Sequence, residues 1–194
     1  MYNIHYVILY LIKGDFMKNI FIAGVARYGK STLSKKIIEN KNYNHIPLDY
    51  FASSLNHNFP ETKITSNVVI DSTSNKNLAL LLSRVIQIIN DSDEKFIIDS
   101  AHIYPQDIIE LLDRDKWDIY YLGYPNISAQ EKLELIRKFD TKNDWTFKKS
   151  DDELLDILKQ LINISHNIQN QCQKLNINFI DTSNDMSFKN FKND

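Results

Sequence analysis

The sequence is poor in cysteine, and Cys172 is the single one among 194 residues. One cysteine excludes a disulfide bond within the chain and a metal site built from several thiolates. This usage agrees with a reducing, cytoplasmic setting. An excess of charge of one sign is also lacking, since the formal net charge is −2. A nearly balanced chain lacks the charge excess typical of proteins that bind nucleic acid or anionic membranes, so we expect neither as a partner.

Apolar runs are shorter than a membrane span requires. The run at residues 6–12 is too short to cross a bilayer. No positive charge precedes it and no small-residue cleavage site follows it, which argues against a signal peptide. Met17 stands immediately before the first predicted strand, so we expect residues 1–16 to be an N-terminal extension and residues 17–194 to form one domain. An added edge strand and a partner-binding segment are the alternatives for the extension.

Glycine is rare, and two of the four glycines occupy the fixed positions of one motif. The motif is G-x-x-x-x-G-K-[ST], the phosphate-binding P-loop. An apolar run at 19–23 predicts a buried strand before it, and the apolar residues within 33–38 have helical spacing after it. The strand, the loop and the helix follow in the order that the motif requires. The residues predicted to bind phosphates are Gly24, Val25, Ala26, Arg27, Tyr28, Gly29, Lys30, Ser31 and Thr32.

Each residue type in the motif has a chemical task. Gly24 and Gly29 can adopt backbone angles that turn successive N–H groups inward to form an anion-binding nest. The helix that begins near Lys30 adds the positive end of its dipole. Lys30 would reach the β- and γ-phosphates, and the Ser31 hydroxyl would bind Mg²⁺. The motif therefore predicts a nucleoside triphosphate with Mg²⁺ as the ligand, whereas an ordinary glycine turn is the alternative.

The rest of the chain alternates predicted strands with predicted helices, which indicates an α/β fold. We expect a three-layer P-loop NTPase fold, with a parallel sheet of about five strands and helices on both faces. Residues 52–67 are predicted to be loop with some short helix, and 68–70 are either a short strand or the lead-in to a helix. Further strands are predicted at 43–48, 95–100, 117–122 and 177–180, and further helices at 77–90, 105–113, 128–139 and 150–173.

Two acids follow predicted strands, where ligands bind in open parallel sheets. Asp99 at the end of the third strand is predicted to help hold Mg²⁺, and a helix-cap or turn role is the alternative. Asp49 at the end of the second strand could accept the proton of an attacking hydroxyl, or orient that hydroxyl, or serve as a turn residue. His102 follows the third strand and is either a substrate contact or a structural residue.

Two arginines are candidates for phosphate contacts. Arg137 lies in a basic helical stretch after the fourth strand, where it could stabilise charge on a transferring phosphoryl group. A solvated helix face is the alternative, because acidic residues are interleaved with the basic ones. Arg27 lies inside the P-loop, where a small residue is more usual, and points either over the phosphates or into solvent.

The chain resembles the small P-loop kinases, which include nucleoside monophosphate kinases, shikimate kinases and gluconate kinases. The resemblance lies in residues 24–32, Asp49, Asp99 and the segment 129–149, where these kinases carry their lid. Residues 96–105 are also similar to 2-phosphoglycerate kinase-like proteins. The resemblance implies that ATP and Mg²⁺ are used, that Lys30, Asp49 and Arg137 are catalytic, and that residues 126–149 form a small lid segment. It also implies that Asp181 to Asn184 pack against the base.

The resemblance leaves three kinds of acceptor open. Asp49 matches the aspartate that small-molecule kinases place near an acceptor hydroxyl, so a hydroxyl group is the first choice. A nucleoside monophosphate is the alternative, although the chain has only four arginines to bind additional phosphate groups. A toxin-like or regulatory P-loop protein that acts on a larger partner is the third reading.

Overall fold

The structure, a computed structural model, describes residues 18–40, 42–69, 71–101 and 103–183. The extension 1–16 and the side chain of His102 therefore lie outside the described residues. The strands are β1 (Asn19–Gly24), β2 (Asn44–Pro47), β3 (Phe96–Ser100), β4 (Trp117–Gly123) and β5 (Asn178–Asp181). The helices are α1 (Lys30–Asn40), α2 (Leu48–Asn58), α3 (Ser72–Asn90), α4 (Pro105–Ile108), α5 (Ala129–Phe139) and α6 (Asp151–Leu175).

The sheet has five strands in the order β2-β3-β1-β4-β5, and every neighbouring pair is parallel. Strand β1 lies in the middle and all its residues are buried, as expected for a parallel strand covered on both faces. Helix α1 packs on β1 and β3, while α6 packs on β4 and β5. The predicted three-layer α/β fold with a five-stranded parallel sheet is confirmed.

The two helices after β4 begin where their sequences predict. Ser128 and Glu131 form a capping box at the start of α5, and Ser150 and Glu153 form another at the start of α6. In each box, the serine hydroxyl accepts a backbone N–H that the first turn leaves unpaired, and the glutamate accepts the serine N–H. Short 3₁₀ helices, at 60–62 and 145–148, precede α3 and α6.

The segment after β2 differs from the prediction. Strand β2 ends at Pro47 and α2 begins at Leu48, so Asp49 lies in the first turn of a helix rather than at the end of a strand. Part of the predicted loop 52–67 is helical, because α2 continues to Asn58. The buried residues Leu48 and Ala52 have the i, i+4 spacing of a helix face, a signal hidden by the polar residues around them.

Two helix boundaries were also predicted wrongly. Helix α3 begins at Ser72 rather than residue 77, because the Asp71 carboxylate accepts the N–H groups of Thr73 and Ser74 and caps the helix. Helix α4 ends at Ile108 rather than at residue 113. Residues 68–69 form a bend that leads to α3, not a strand.

Within the described part of the chain, no helix combines the length and the apolar composition needed to cross a membrane.

Candidate active site

The loop between β1 and α1 has the backbone of a phosphate-binding turn. Gly24, Arg27 and Gly29 all have positive φ angles, of 146°, 63° and 96°. A Cβ added to Gly24 would lie 1.8 Å from the carbonyl oxygen of Leu122, so no other residue fits there. The side chain of Val25 is buried in the core, which leaves only its backbone to face a ligand. This loop could therefore hold an anion through its N–H groups at the N-terminus of α1.

Three residues predicted from sequence meet at this edge of the sheet. The Nζ of Lys30 lies 3.0 Å from Oδ1 of Asp99 and forms a second ion pair with Oδ2 of Asp49. Lys30 is the first residue of α1, and Asp99 is paired with Ile22 in the strand that leads into the loop. Lys30 and Asp99 are both buried, so this cluster has little water to screen its charges.

Asp49 is the most accessible carboxylate of this cluster. Its Oδ1 accepts the backbone N–H of Ala101 at 3.2 Å, so the loop after β3 fixes its orientation. Its side chain is 38% exposed, compared with 3% for Asp99. Asp49 is thus more accessible to an acceptor molecule than Asp99 is.

His45 joins the cluster and was not predicted. Its Nε2 lies 2.5 Å from Oδ2 of Asp99. Asp99 therefore contacts Lys30 through one oxygen and His45 through the other. The contact depends on β2 lying beside β3 in the sheet, with His45 opposite Ile97. That strand order is a property of the whole fold, so no local sequence signal could have indicated it.

Tyr28 places a phenol beside the same carboxylates. Its hydroxyl is buried and has no hydrogen-bond partner among the described residues. Burial raises the pKa of Tyr28 well above its ordinary value, and the negative charges of Asp99 and Asp49 raise it further. The side chain stays neutral, so Tyr28 contributes a polar but uncharged wall to the cluster.

Ser31 and Asp99 are the predicted oxygen ligands of Mg²⁺, and their role as ligands stays a prediction. Ser31 is an exposed residue in the first turn of α1, and Asp99 lies at the end of β3. The described residues contain no group of three or more His, Cys, Asp and Glu side chains that could hold a metal ion. This donor set fits Mg²⁺, which binds through one or two protein oxygens, water and substrate phosphates. Nothing is described for the side chain of Thr32.

The structure places Arg137 away from the Lys30 cluster. Its guanidinium donates to the carboxylates of Asp140 and Asp151 and to the carbonyl oxygens of Thr146 and Lys149. All these partners lie within residues 140–151. In this conformation Arg137 stabilises the chain between α5 and the start of α6, and its catalytic role remains a prediction.

Arg27 does not point into solvent, one of the two orientations expected from sequence, since its side chain is only 16% exposed. Its guanidinium forms ion pairs with Asp140, at 2.9 Å, and with Asp144. Its neighbour Ala26 accepts a hydrogen bond from the Tyr124 hydroxyl at 2.8 Å. The middle of the P-loop is therefore attached to the chain that follows β4.

A buried lysine lies next to this attachment. The Nζ of Lys132 lies 4.0 Å from the ring centroid of Tyr124 and has no hydrogen-bond partner among the described residues. Burial lowers the pKa of Lys132 to about 7, and the nearby charge of Arg27 contributes to the shift. Lys132 could not be singled out from the sequence, because a lysine in an amphipathic helix is expected to be exposed.

A cavity of about 480 Å³ lies between residues 126–138, which include most of α5, and Ser183 after β5. Asn126 holds the two sides together, since its N–H donates to Ser183 and its amide donates to Asp181. The cavity is lined by Asn126, Ile127, Glu131, Glu134, Leu135, Lys138 and Ser183. The resemblance to the small P-loop kinases implies a base contact at residues 181–184, and this stays a prediction. Ser183 lines the cavity, whereas Asn184 lies outside the described residues.

The parallel sheet and the loop after its central strand define a P-loop NTPase fold of the small-kinase type. A shikimate kinase from Bacteroides thetaiotaomicron has this fold, with 17% sequence identity over 89% of this chain and 93% of its own, and a TM-score of 0.54. A gluconokinase from Sinorhizobium meliloti is 14% identical over 80% of this chain and 98% of its own, with a TM-score of 0.46. A sugar kinase from Janibacter sp. is 13% identical over 78% and 97%, with a TM-score of 0.43.

The similarity to the shikimate kinase is a likeness of fold. No protein-family profile and no curated protein matches the sequence. The match to the shikimate kinase covers most of both chains and confirms the expected small P-loop kinase fold.

Proposed function

We propose that the protein is an ATP-dependent phosphotransferase that moves the γ-phosphate of Mg-ATP to a hydroxyl group of a small molecule. The observation that carries this proposal is the cluster in which Lys30 lies between Asp49 and Asp99. One cation and one accessible carboxylate stand next to a loop suited to hold phosphates. The shikimate kinase with the same fold is a kinase of a small molecule, which supports the same reaction class.

The residues of the cluster take separate roles in this reaction. The loop N–H groups and Lys30 bind and orient the phosphates and stabilise the charge of the transferring group. The hydroxyl oxygen of the acceptor bonds to the γ-phosphorus, and the bond between the γ-phosphorus and the bridging oxygen of the β-phosphate breaks. Asp49 receives the proton that the hydroxyl group loses. Mg²⁺, held by Ser31 and Asp99, would neutralise phosphate charge. Arg137 would act on the transferring phosphoryl group only after leaving its present partners.

The contacts of the arginines favour a hydroxyl acceptor over a nucleoside monophosphate. An acceptor that carries a phosphate is usually held by guanidinium groups in bidentate geometry. Arg84 is exposed and bonded to Gln87, while Arg114 donates to the carbonyl oxygens of Leu175 and Asn176 at the end of α6. Arg27 and Arg137 are engaged with carboxylates of residues 140–151.

The test is ADP release by the purified protein with Mg-ATP and a panel of acceptors. The panel contains nucleosides, nucleoside monophosphates, sugars, glycerate derivatives and aminoglycoside or phenicol antibiotics. We expect stimulation by one hydroxyl compound and none by the same compound in the Lys30→Ala variant. Stimulation by a monophosphate alone would replace the proposal with a nucleotide kinase. No stimulation by any acceptor would contradict a small-molecule kinase and favour a macromolecular partner.

A further inference from the structure

Arg27 has a backbone conformation that its side chain makes unfavourable. Its φ angle of 63° lies in the left-handed region, where a Cβ approaches the following carbonyl group and glycine is preferred. Its side chain is nonetheless only 16% exposed and fully directed toward other residues. A long cation at this position of the loop therefore has a role that a glycine could not perform.

Asp140 is the first ion-pair partner of the Arg27 side chain. It is 3% exposed, and its Oδ1 accepts a hydrogen bond from Nη2 of Arg27 at 2.9 Å. Its Oδ2 lies 3.3 Å from Nη1 of Arg137, and the Thr146 hydroxyl also donates to Oδ1. A carboxylate this buried requires partners of opposite charge, and Asp140 receives one from the P-loop and one from the lid segment.

Asp144 is the second ion-pair partner of Arg27, and its orientation is fixed. Its Oδ2 accepts the backbone N–H of Thr141 at 2.9 Å and the Thr141 hydroxyl at 2.8 Å, which closes a tight turn. Its Oδ1 then faces Nη1 of Arg27. Burial opposes ionisation, but the hydrogen bonds from Thr141 and Arg27 hold the pKa of Asp144 below its ordinary value. Arg27 is thus held by two carboxylates, those of Asp140 and Asp144.

We propose that Arg27 is a positioning residue that fastens the lid segment to the phosphate-binding loop, through Asp140 and Asp144. These ion pairs form a latch whose opening limits how fast a nucleotide leaves the loop. The lid segment cannot move away from the loop without breaking both pairs and leaving Asp140 with one cation fewer. The part of this inference that concerns nucleotide release rests on the proposed function, whereas the part that concerns the attachment does not.

The first arm of the test is the dissociation rate of a fluorescent ATP analogue, mant-ATP, from the protein with Mg²⁺, measured by stopped flow. We expect Arg27→Gly and Asp140→Asn each to raise this rate about tenfold or more, as loss of charge-assisted pairs implies. Arg27→Lys keeps the charge but loses the bidentate geometry of the guanidinium group. Its dissociation rate should lie between the rates of these variants and the rate of the unchanged protein. Arg84→Ala is the matched control, since Arg84 is exposed and contacts only Gln87 among its described hydrogen-bond partners.

The double variant separates a latch from two independent effects. Because both substitutions open the same pair, Arg27→Gly with Asp140→Asn should release mant-ATP no more than about twofold faster than either single variant. If the rate increase of the double variant equalled the product of the two single-variant increases, the latch would be contradicted. If Asp140→Asn does not fold, Arg27→Gly with Asp144→Asn gives the same comparison.

The second arm is amide hydrogen exchange of the lid segment without nucleotide. We expect exchange at residues 140–148 to be about tenfold faster in Arg27→Gly and unchanged within residues 154–172 of α6. Unchanged exchange at 140–148 in a folded Arg27→Gly protein would overturn the latch. If the unchanged protein does not bind mant-ATP, the proposed function and the release claim fail together, and this second arm still decides the attachment.

Discussion

The ammonium group of Lys30 lies 3.0 Å from a carboxylate oxygen of Asp99 and is also paired with Asp49. One cation therefore joins the phosphate-binding loop, the end of β3 and the first turn of α2. These are the places where ATP, Mg²⁺ and the acceptor would meet in a phosphotransferase.

Replacing Lys30 tests the chemical role of this cation. We expect Lys30→Ala to lower the turnover number for ADP release by at least about 100-fold, since an electrostatic contact to the transferring group is lost. Lys30→Arg keeps the charge and should retain more activity than Lys30→Ala. Equal activity of the alanine variant and the unchanged protein would remove the P-loop from the mechanism.

Gly24 offers a prediction about stability. A Cβ at this position would meet the Leu122 carbonyl oxygen at 1.8 Å, and the backbone φ of 146° disfavours any other residue. Gly24→Ala should lower the free energy of unfolding by about 3 kcal/mol, measured by denaturant titration.

Gly123→Ala is the matched control for that measurement. Its added Cβ would lie 3.0 Å from the Ser165 hydroxyl and 3.1 Å from the Phe179 ring, which are side-chain atoms that can shift. We expect a loss of only about 1 kcal/mol. If Gly123→Ala cost as much as Gly24→Ala, close contact with the rigid backbone would not be the cause.

Lys132 predicts a pH dependence of stability. Because its folded pKa is about 7, the unfolded chain holds a proton there that the folded chain lacks between about pH 7 and the ordinary lysine value. Stability therefore rises with pH in this window. Lys132→Met should be more stable than the unchanged protein at pH 7, and this advantage should shrink by up to about 1.4 kcal/mol per pH unit.

Denaturant titrations of both proteins from pH 7 to about pH 9 check this prediction. The difference in the free energy of unfolding between the two proteins is the quantity to compare, because the buried Cys172 makes stability fall with pH in both of them. Burial raises the pKa of that thiol to about 12, so the folded chain keeps a proton that the unfolded chain loses. A stability difference that does not vary over this range would show that Lys132 is charged in the fold.

The parts of the site that are local in sequence were predictable. The P-loop follows from residues 24–31 because strand, loop and helix are consecutive, and Asp99 follows from an apolar strand that ends in an acid. The start of α3 was missed although Asp71 is a good N-cap, since the polar residues after it were read as loop. The first turn of α2, with Asp49, was missed because residues 43–48 are predicted as a strand that ends at Asp49, whereas the helix begins at Leu48.

The remaining contacts join residues that are distant in sequence. His45 meets Asp99 because β2 pairs with β3, and Arg27 meets Asp140 across 113 positions. Neither pair has a spacing or a motif that marks it. Lys132 is buried, with the ring of Tyr124 4.0 Å from its Nζ. Such contacts depend on the packing of complete elements, and periodicity within one element does not specify them.

The most direct measurement is acceptor-stimulated ADP release by Asp49→Asn beside the unchanged protein, at saturating Mg-ATP and with the best acceptor of the panel. The account predicts a fall in turnover of at least about 100-fold, with mant-ATP affinity changed by less than about threefold, because the lost carboxylate serves the acceptor proton. An unchanged turnover number would contradict the central claim and make Asp49 a structural partner of Lys30 and Ala101.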